Sequence, residues 1–272
     1  VLADWNGLMI HSLAEAAVAF GEPDWLAAAE RAFAFVRDHM QVDGRLRHNW
    51  RRGQPKHAAM LDDHATMANA ALTLFEHTGN TAYRDQAVAW VETLERHFRD
   101  TAAGGYFVTA DDVGDVIVRP KHAQDSSQPA GNGLMVHVLA RLHYLTGEAR
   151  YRERAEQTIA AFAGEVEKNF VPLATLLNGI ERLNAGLQIV IIGARDAADT
   201  RALLKVVHAI ALPDRILQVI EPGGALPDGH PAAGKTQAND GATAYVCRGP
   251  TCSLPITDPD ALRAELAGEN AD

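Results

Sequence analysis

The chain has 272 residues, 47% hydrophobic and 22% charged, enough apolar material for a sizeable core, which excludes disordered and fibrous classes. Thirty-five acidic against twenty-five basic residues give a formal charge of -10. That balance disfavours nucleic acid or an anionic membrane as partner and points to a small molecule or a protein. No apolar run approaches the roughly 18–20 residues of a membrane span, the longest being the short stretch 189–192. Two cysteines cannot build a disulfide scaffold, so a reducing, cytoplasmic setting is the default, and the abundance of alanine suggests a bacterial source. The start has no Met and no signal-peptide pattern, as expected of a processed or truncated piece.

A repeat organises the first 170 or so residues. Gly21, Gly79 and Gly147 are each followed four residues later by an aromatic: Trp25, Tyr83 and Tyr151. Eight residues after each Gly comes Ala29, Ala87 or Ala155, and twelve after comes Phe33, Val91 or Ile159, at helical spacing. The segments before each Gly, 8–20, 65–77 and 134–145, are apolar nearly all round and predict buried inner helices. The segments after the second and third, 83–99 and 151–168, are amphipathic and predict outer helices. Fifteen residues before each Gly stand Asn6, His64 and Asn132, which places a polar side chain at the start of every inner helix. Such helix starts gather at one mouth in α/α toroids, and the chemistry is expected there. Of the Gly-rich connections between units, the longest, 105–128, contains a strand-like run at 115–119.

After Pro172 a further helix, 173–183, leads into a βαβ pattern: strand 187–193, helix 199–210, strand 216–220, a Gly/Pro/Ala-rich loop 221–242, strand 244–247 and a closing helix 258–266. The expected fold is mainly α, a partial (α/α)6 toroid of helical hairpins over residues 1–184, with a small α/β region over 185–272.

Four ordered motifs, LADWNGLMI at 2–10, LDDHA at 61–65, VRPK at 118–121 with Asp125 and PAGN at 129–132, and AYVCRGPTCSLP at 244–255, resemble the C-terminal two thirds of the thioredoxin-domain-containing, spermatogenesis-associated protein 20 family. The resemblance implies an α/α-barrel similar to N-acylglucosamine 2-epimerase and six-hairpin glycosidases, without the thioredoxin-like domain and first hairpins of that family. The family usually has Tyr at the position of His64 and a small residue at that of His11.

At the expected mouth, Asp62 and Asp63 enter an inner helix, where one suffices as a cap and the other is a candidate general base or hydroxyl acceptor. His64 either satisfies a helix end or transfers protons, and an epimerase needs a second histidine, for which His48 and His57 in the preceding loop are the candidates. Trp5 is read as core, or as a sugar-stacking platform beside Asn6. Asn132 and Asp125 either order the long loop or recognise hydroxyls, and Arg119 and Lys121 either edge that loop or bind a carboxylate or phosphate. A glycosidase would pair Asp62 or Asp63 with Asp125. No metal motif, nucleotide loop or serine-nucleophile motif occurs, so no cofactor is expected. Cys247 and Cys252 read as two buried thiols bracketing a turn, with a local disulfide as the alternative. The resulting expectation is a sugar-binding or sugar-modifying, epimerase-like barrel, with glycoside hydrolysis or a non-catalytic scaffold as alternatives. Three hairpins do not close a six-hairpin ring, so a second copy or a missing N-terminal segment would complete it.

Overall fold

In the computed structural model, which describes residues 1–114 and 116–268, the Gly-punctuated pattern becomes three pairs of consecutive helices. They are α1 (Ala3–Phe20) and α2 (Pro23–His39), α3 (Leu61–Thr78) and α4 (Thr81–His97), and α5 (Gly131–Thr146) and α6 (Ala149–Lys168). All three repeat glycines hold φ between 72° and 75°, and their N–H groups return to the carbonyls of Ala17, Phe75 and His143. That left-handed cap is open to Gly at little cost, which is why the residue recurs at each inner-to-outer turn. The outer helices bury one stripe each: Ala29, Phe33 and Val36 on α2, and Tyr83, Ala87, Trp90 and Leu94 on α4. Phe33 meets Tyr83 and Trp90 edge to face at 5.1 and 5.6 Å.

The chain divides into two compact units, one of residues 1–140 and 149–183, the other of 141–148 and 184–272. Within the first, α3 is buried almost all round. Helix α1 is not: Trp5, Met9 and Phe20 fall within about 60° on the helical wheel and are 65%, 63% and 75% exposed. Trp5, read from sequence as core, is therefore on the surface, because nothing in the described chain covers this side of α1. After α2 the Asp43-Gly44 turn signal, expected to open one short extended stretch, opens a three-stranded antiparallel meander, β1 (Gln41–Val42), β2 (Arg45–Arg51) and β3 (Gln54–Ala58). Its turns, Asp43-Gly44 and Arg52-Gly53, all have positive φ, the geometry of tight hairpins. No strand forms over 116–119, and Asp115 lies outside the described residues. Ile117 and Val118 are exposed there, and Arg119 turns back to the carbonyls of Thr109 and His97, which leaves no partner strand.

The shared Asn-Gly-Leu-Met run of the first and third units has a packing cause. A Cβ on Gly7 would lie 2.7 Å from the Thr66 backbone of α3, and one on Gly133 would lie 2.8 Å from the backbone N of Leu176 on α7 (Ala174–Ala185). The first and third inner helices, α1 and α5, thus each meet a neighbouring helix at a glycine.

The second unit is a four-stranded sheet of order β5-β4-β6-β7, comprising β4 (Leu187–Ile192), β5 (Arg215–Ile220), β6 (Thr243–Arg248) and β7 (Thr251–Cys252). Strands β4 and β5 are parallel, joined by α8 (Ala198–Ala209), and β6 returns antiparallel. One sheet face packs Ile189, Ile191 and Leu217 on α8 and on α9 (Pro259–Ala267), while the other packs Val190, Ile192 and Tyr245 under the 221–242 loop. Cys247 and Cys252 stand opposite each other on β6 and β7 and form a disulfide, which replaces the expected pair of thiols: an antiparallel register brings the two sulfurs face to face. Among the described residues no helix is long and apolar enough to cross a membrane.

Because the α1–α3 crossing has no room for a methyl group, Gly7→Ala is expected to lower stability by about 1–3 kcal/mol in urea unfolding, as overpacking does. An exposed-helix Gly→Ala change would instead stabilise.

Candidate functional site

Three consecutive residues at the start of α3 diverge by the helical step of about 100° each, and so meet three different surroundings. Asp63, only 1% exposed, turns toward α1 and β2. Its Oδ2 accepts the Met60 N–H at 2.8 Å, which caps α3, and its Oδ1 accepts the Asp4 N–H at the start of α1 at 3.1 Å. His48 Nδ1 on β2 lies 3.0 Å from both oxygens. An ionised carboxylate has no proton to give, so Nδ1 carries the hydrogen and Nε2 is left with its lone pair when the ring is neutral. Among the described residues Nε2 has no protein partner, and the side chain keeps 25% exposure. The bond to Asp63 raises the His48 pKa above the ordinary 6.5, against a smaller opposing effect of burial.

Asp62 faces the start of α5. A Cβ on Gly131 would collide with Asp62 Oδ1 and with Leu61, which accounts for the glycine of the PAGN motif. That oxygen is buried without a partner, and burial raises the Asp62 pKa. The Gly131 N–H and the charge of His122 act in the opposite, weaker sense. The starts of α1, α3 and α5 are thereby drawn together through Asp63 and Asp62, and their positive dipole ends share one neighbourhood.

His64 goes elsewhere. It is 1% exposed, donates from Nδ1 to the Met60 carbonyl at 3.0 Å and packs on Phe98 at 5.4 Å. Burial lowers its pKa, so it stays neutral. His57 sits on β3, exposed, at φ 56°, and its side chain makes no hydrogen bond or ion pair to a described residue. The structure thus pairs His48 with Asp63, not with His64 or His57.

The other candidates are tied to the scaffold. Asn6 donates to the Leu2 carbonyl, and Asn132, wholly buried, bonds the backbone of Tyr106 in both directions and the carbonyl of His122. Asp125 accepts the N–H groups of Ala130 and Thr175, capping α5 and α7 at once. Arg119 holds two carbonyls and lies over the Phe107 ring at 4.3 Å. Lys121 holds Asp100 and the Gly104 carbonyl, each at 2.7 Å, and keeps the Asp100 carboxyl near a pKa of about 2. Trp5 alone among them presents a large free surface, directly after Asp4.

Two residues absent from the sequence reading join the site, Asp4 and His122. The repeat register aligns Asp4 with Asp62, a signal that could have found it. His122 follows the VRPK motif and carries no separate signal. Asp4, His48 and Asp63 offer ligand atoms all within 4.8 Å of one another, a set that could hold a metal ion. The lone pairs of Asp63 are, however, already taken by two N–H donors and His48, an arrangement suited to orienting an imidazole.

No family model matches the chain. Human spermatogenesis-associated protein 20 is 31% identical over 288 residues, covering 98% of this chain and 36% of the human protein, and the mouse protein of the same name matches with the same identity and coverage. The chain is a homologue of spermatogenesis-associated protein 20. The homology takes in nearly all of this chain but little more than a third of those relatives, not the two thirds that the motifs suggested. An uncharacterised protein of Caenorhabditis elegans is 29% identical over 64% of this chain and 24% of its own length. These animal relatives lend no support to the expected bacterial source or cytoplasmic setting. A GH76 α-mannanase of Bacteroides thetaiotaomicron superimposes with TM-score 0.54 at 16% identity, covering 99% of this chain and 70% of that one, a likeness of α/α-toroid fold.

The two adjacent aspartates should respond oppositely to amidation. Asp63→Asn removes a helix cap and the His48 partner and is expected to cost about 0.5–2 kcal/mol or more in urea unfolding, whereas Asp62→Asn should leave stability unchanged or raise it. The raised pKa of His48 adds stability that is complete below about pH 6.5 and fades as pH climbs through the folded-state value. The stability gap between wild type and His48→Gln should therefore shrink from pH 6 to pH 9 in denaturant titrations.

Proposed function

We propose that the first unit binds a sugar at the gathered starts of α1, α3 and α5 and acts on it by proton transfer, as an epimerase-like enzyme. The observation that carries this reading is the Asp63–His48 pair: an imidazole oriented by a buried carboxylate, with its second nitrogen unpartnered and open to solvent. That is the arrangement general-base catalysis needs. In this reading His48 Nε2 takes the proton from the carbon beside an open-chain carbonyl. The C–H electron pair moves to the carbonyl oxygen as an enolate, whose charge the helix dipoles favour. Asp62, disposed by burial to hold a proton, returns one to the opposite face of the same carbon, and the two groups then re-equilibrate with water. Trp5 would offer its exposed ring to the apolar face of the pyranose.

The direct assay is wash-in of deuterium from heavy water into hexoses, N-acylated amino sugars and disaccharides, followed by proton NMR. Exchange at one carbon, reduced about 100- to 10,000-fold in His48→Gln, is expected. A folded protein that neither binds nor exchanges any of these sugars would instead support the scaffold alternative.

We also propose that the exposed Met9 and Phe20 side of α1, beyond Trp5, is covered in a larger assembly, since exposed apolar area of this kind marks an interface. The chain is expected to self-associate in sedimentation at micromolar concentration, and Met9→Lys to return it to monomer. A monomeric wild type removes the idea.

A further inference from the structure

Beside the first turn of α3, on the side of His64 and away from the Asp63–His48 pair, lies a cavity of about 320 Å³. Its polar lining is Arg45, Arg47, His64 and Asp112. The alternation of β2 sends Arg45 and Arg47 to the same side of the strand. Arg45 is held by a fork to Asp112, with Nη1 2.6 Å from Oδ2 and Nη2 3.2 Å from Oδ1. Arg47 is half-buried on the same wall; its backbone N–H holds the Met40 carbonyl, but its guanidinium has no hydrogen bond or ion pair to any described residue. In a chain of net charge -10, a guanidinium on a cavity wall whose lining carboxylate, Asp112, is already paired with Arg45 is an unfilled anion seat.

His64 supplies an independent observation. Its ring is buried, Nδ1 donates to Met60, and Nε2 is buried with no partner. In the neutral ring Nε2 can only accept, and a buried acceptor left unmet costs stability until a donor arrives. The cavity therefore offers an anion site and a hydroxyl acceptor together, in a pocket too small for a polymer strand.

We propose that this cavity is a subsite for the anionic group of a small hydroxyl-bearing ligand, a sugar phosphate or sugar acid, with Arg47 binding the anion and His64 Nε2 accepting from a neighbouring hydroxyl. Asp112 fixes Arg45 as a second, already neutralised wall, which limits the cavity to one anionic group. The inference rests on the carbohydrate reading above and adds a charge to the ligand.

The test is calorimetric titration of the folded chain with glucose 6-phosphate, glucuronate, glucose and inorganic phosphate. It is repeated on Arg47→Gln, on Arg47→Lys and on Arg51→Gln, the last removing an exposed arginine from the same strand. At least one anionic sugar is expected to bind about tenfold or more tightly than glucose. Which of the two it is separates a phosphate site from a carboxylate site. Arg47→Gln should abolish that preference, Arg47→Lys should retain part of it by keeping the charge without the fork, and Arg51→Gln should leave it intact. Equal losses in Arg47→Gln and Arg51→Gln, or no preference over glucose in the wild type, would overturn the proposal. Inorganic phosphate bound as tightly as the sugar phosphate would overturn the role given to His64. Glucose binding with deuterium exchange but no anion preference would leave the acid–base reading standing and remove this one, whereas anionic-sugar binding that depends on Arg47, without exchange, would do the reverse.

Discussion

The carboxylate of Asp63 is the point on which the first unit turns. A buried charge is stable only when its lone pairs are met, and here they are met by the N–H that opens α3, the N–H of Asp4 at the start of α1, and the imidazole of His48 on the β2 strand. One group thus fixes the start of one inner helix, the approach of a second and the orientation of a histidine. Removing it would leave three donors unmet in a poorly solvated place. A plain helix cap needs no histidine, and a plain surface histidine needs no buried aspartate.

The glycines make that convergence possible. Inner helices that cross at Gly7 and Gly133 come close enough for a side chain at one helix start to reach the backbone of the next. Gly131 does the same for Asp62 by leaving space for its carboxyl against α5. The long loop between α4 and α5 is then pinned from within by Asn132, Lys121 and Arg119, and Asp125 ties its end to two helix starts. These polar residues work as fasteners of an irregular segment, whereas Trp5, His48 and His122 keep part of their side chains at the surface.

Much of the fold was legible because its periodicities are strong: three glycine-marked turns, near-continuous apolar inner helices and a βαβ run in the second unit. The meander at β1 to β3 was legible only as a turn before one short extended stretch, because its strands are rich in Arg, His and Asn and lack the alternation of a half-buried strand. Residues 116–119 failed in the opposite way: Val116, Ile117 and Val118 have strand propensity but find no partner. For the site, sequence placed Asp62 and Asp63 at a helix start but could not tell that neighbours in a helix diverge into different surroundings. His64 was therefore grouped with them, although its ring faces a different cavity. The Asp63–His48 contact spans a hairpin and a helix start, and no local pattern encodes it.

The most direct measurement is nitrogen-15 NMR of the His48 ring across pH, in the wild type and in Asp63→Asn. The expected result is an Nδ1–H tautomer for the neutral ring with a pKa above 6.5, both shifting toward those of an ordinary exposed histidine in the variant. A neutral ring protonated on Nε2, or a pKa that does not move when Asp63 loses its charge, would contradict the coupling on which the proposed chemistry depends.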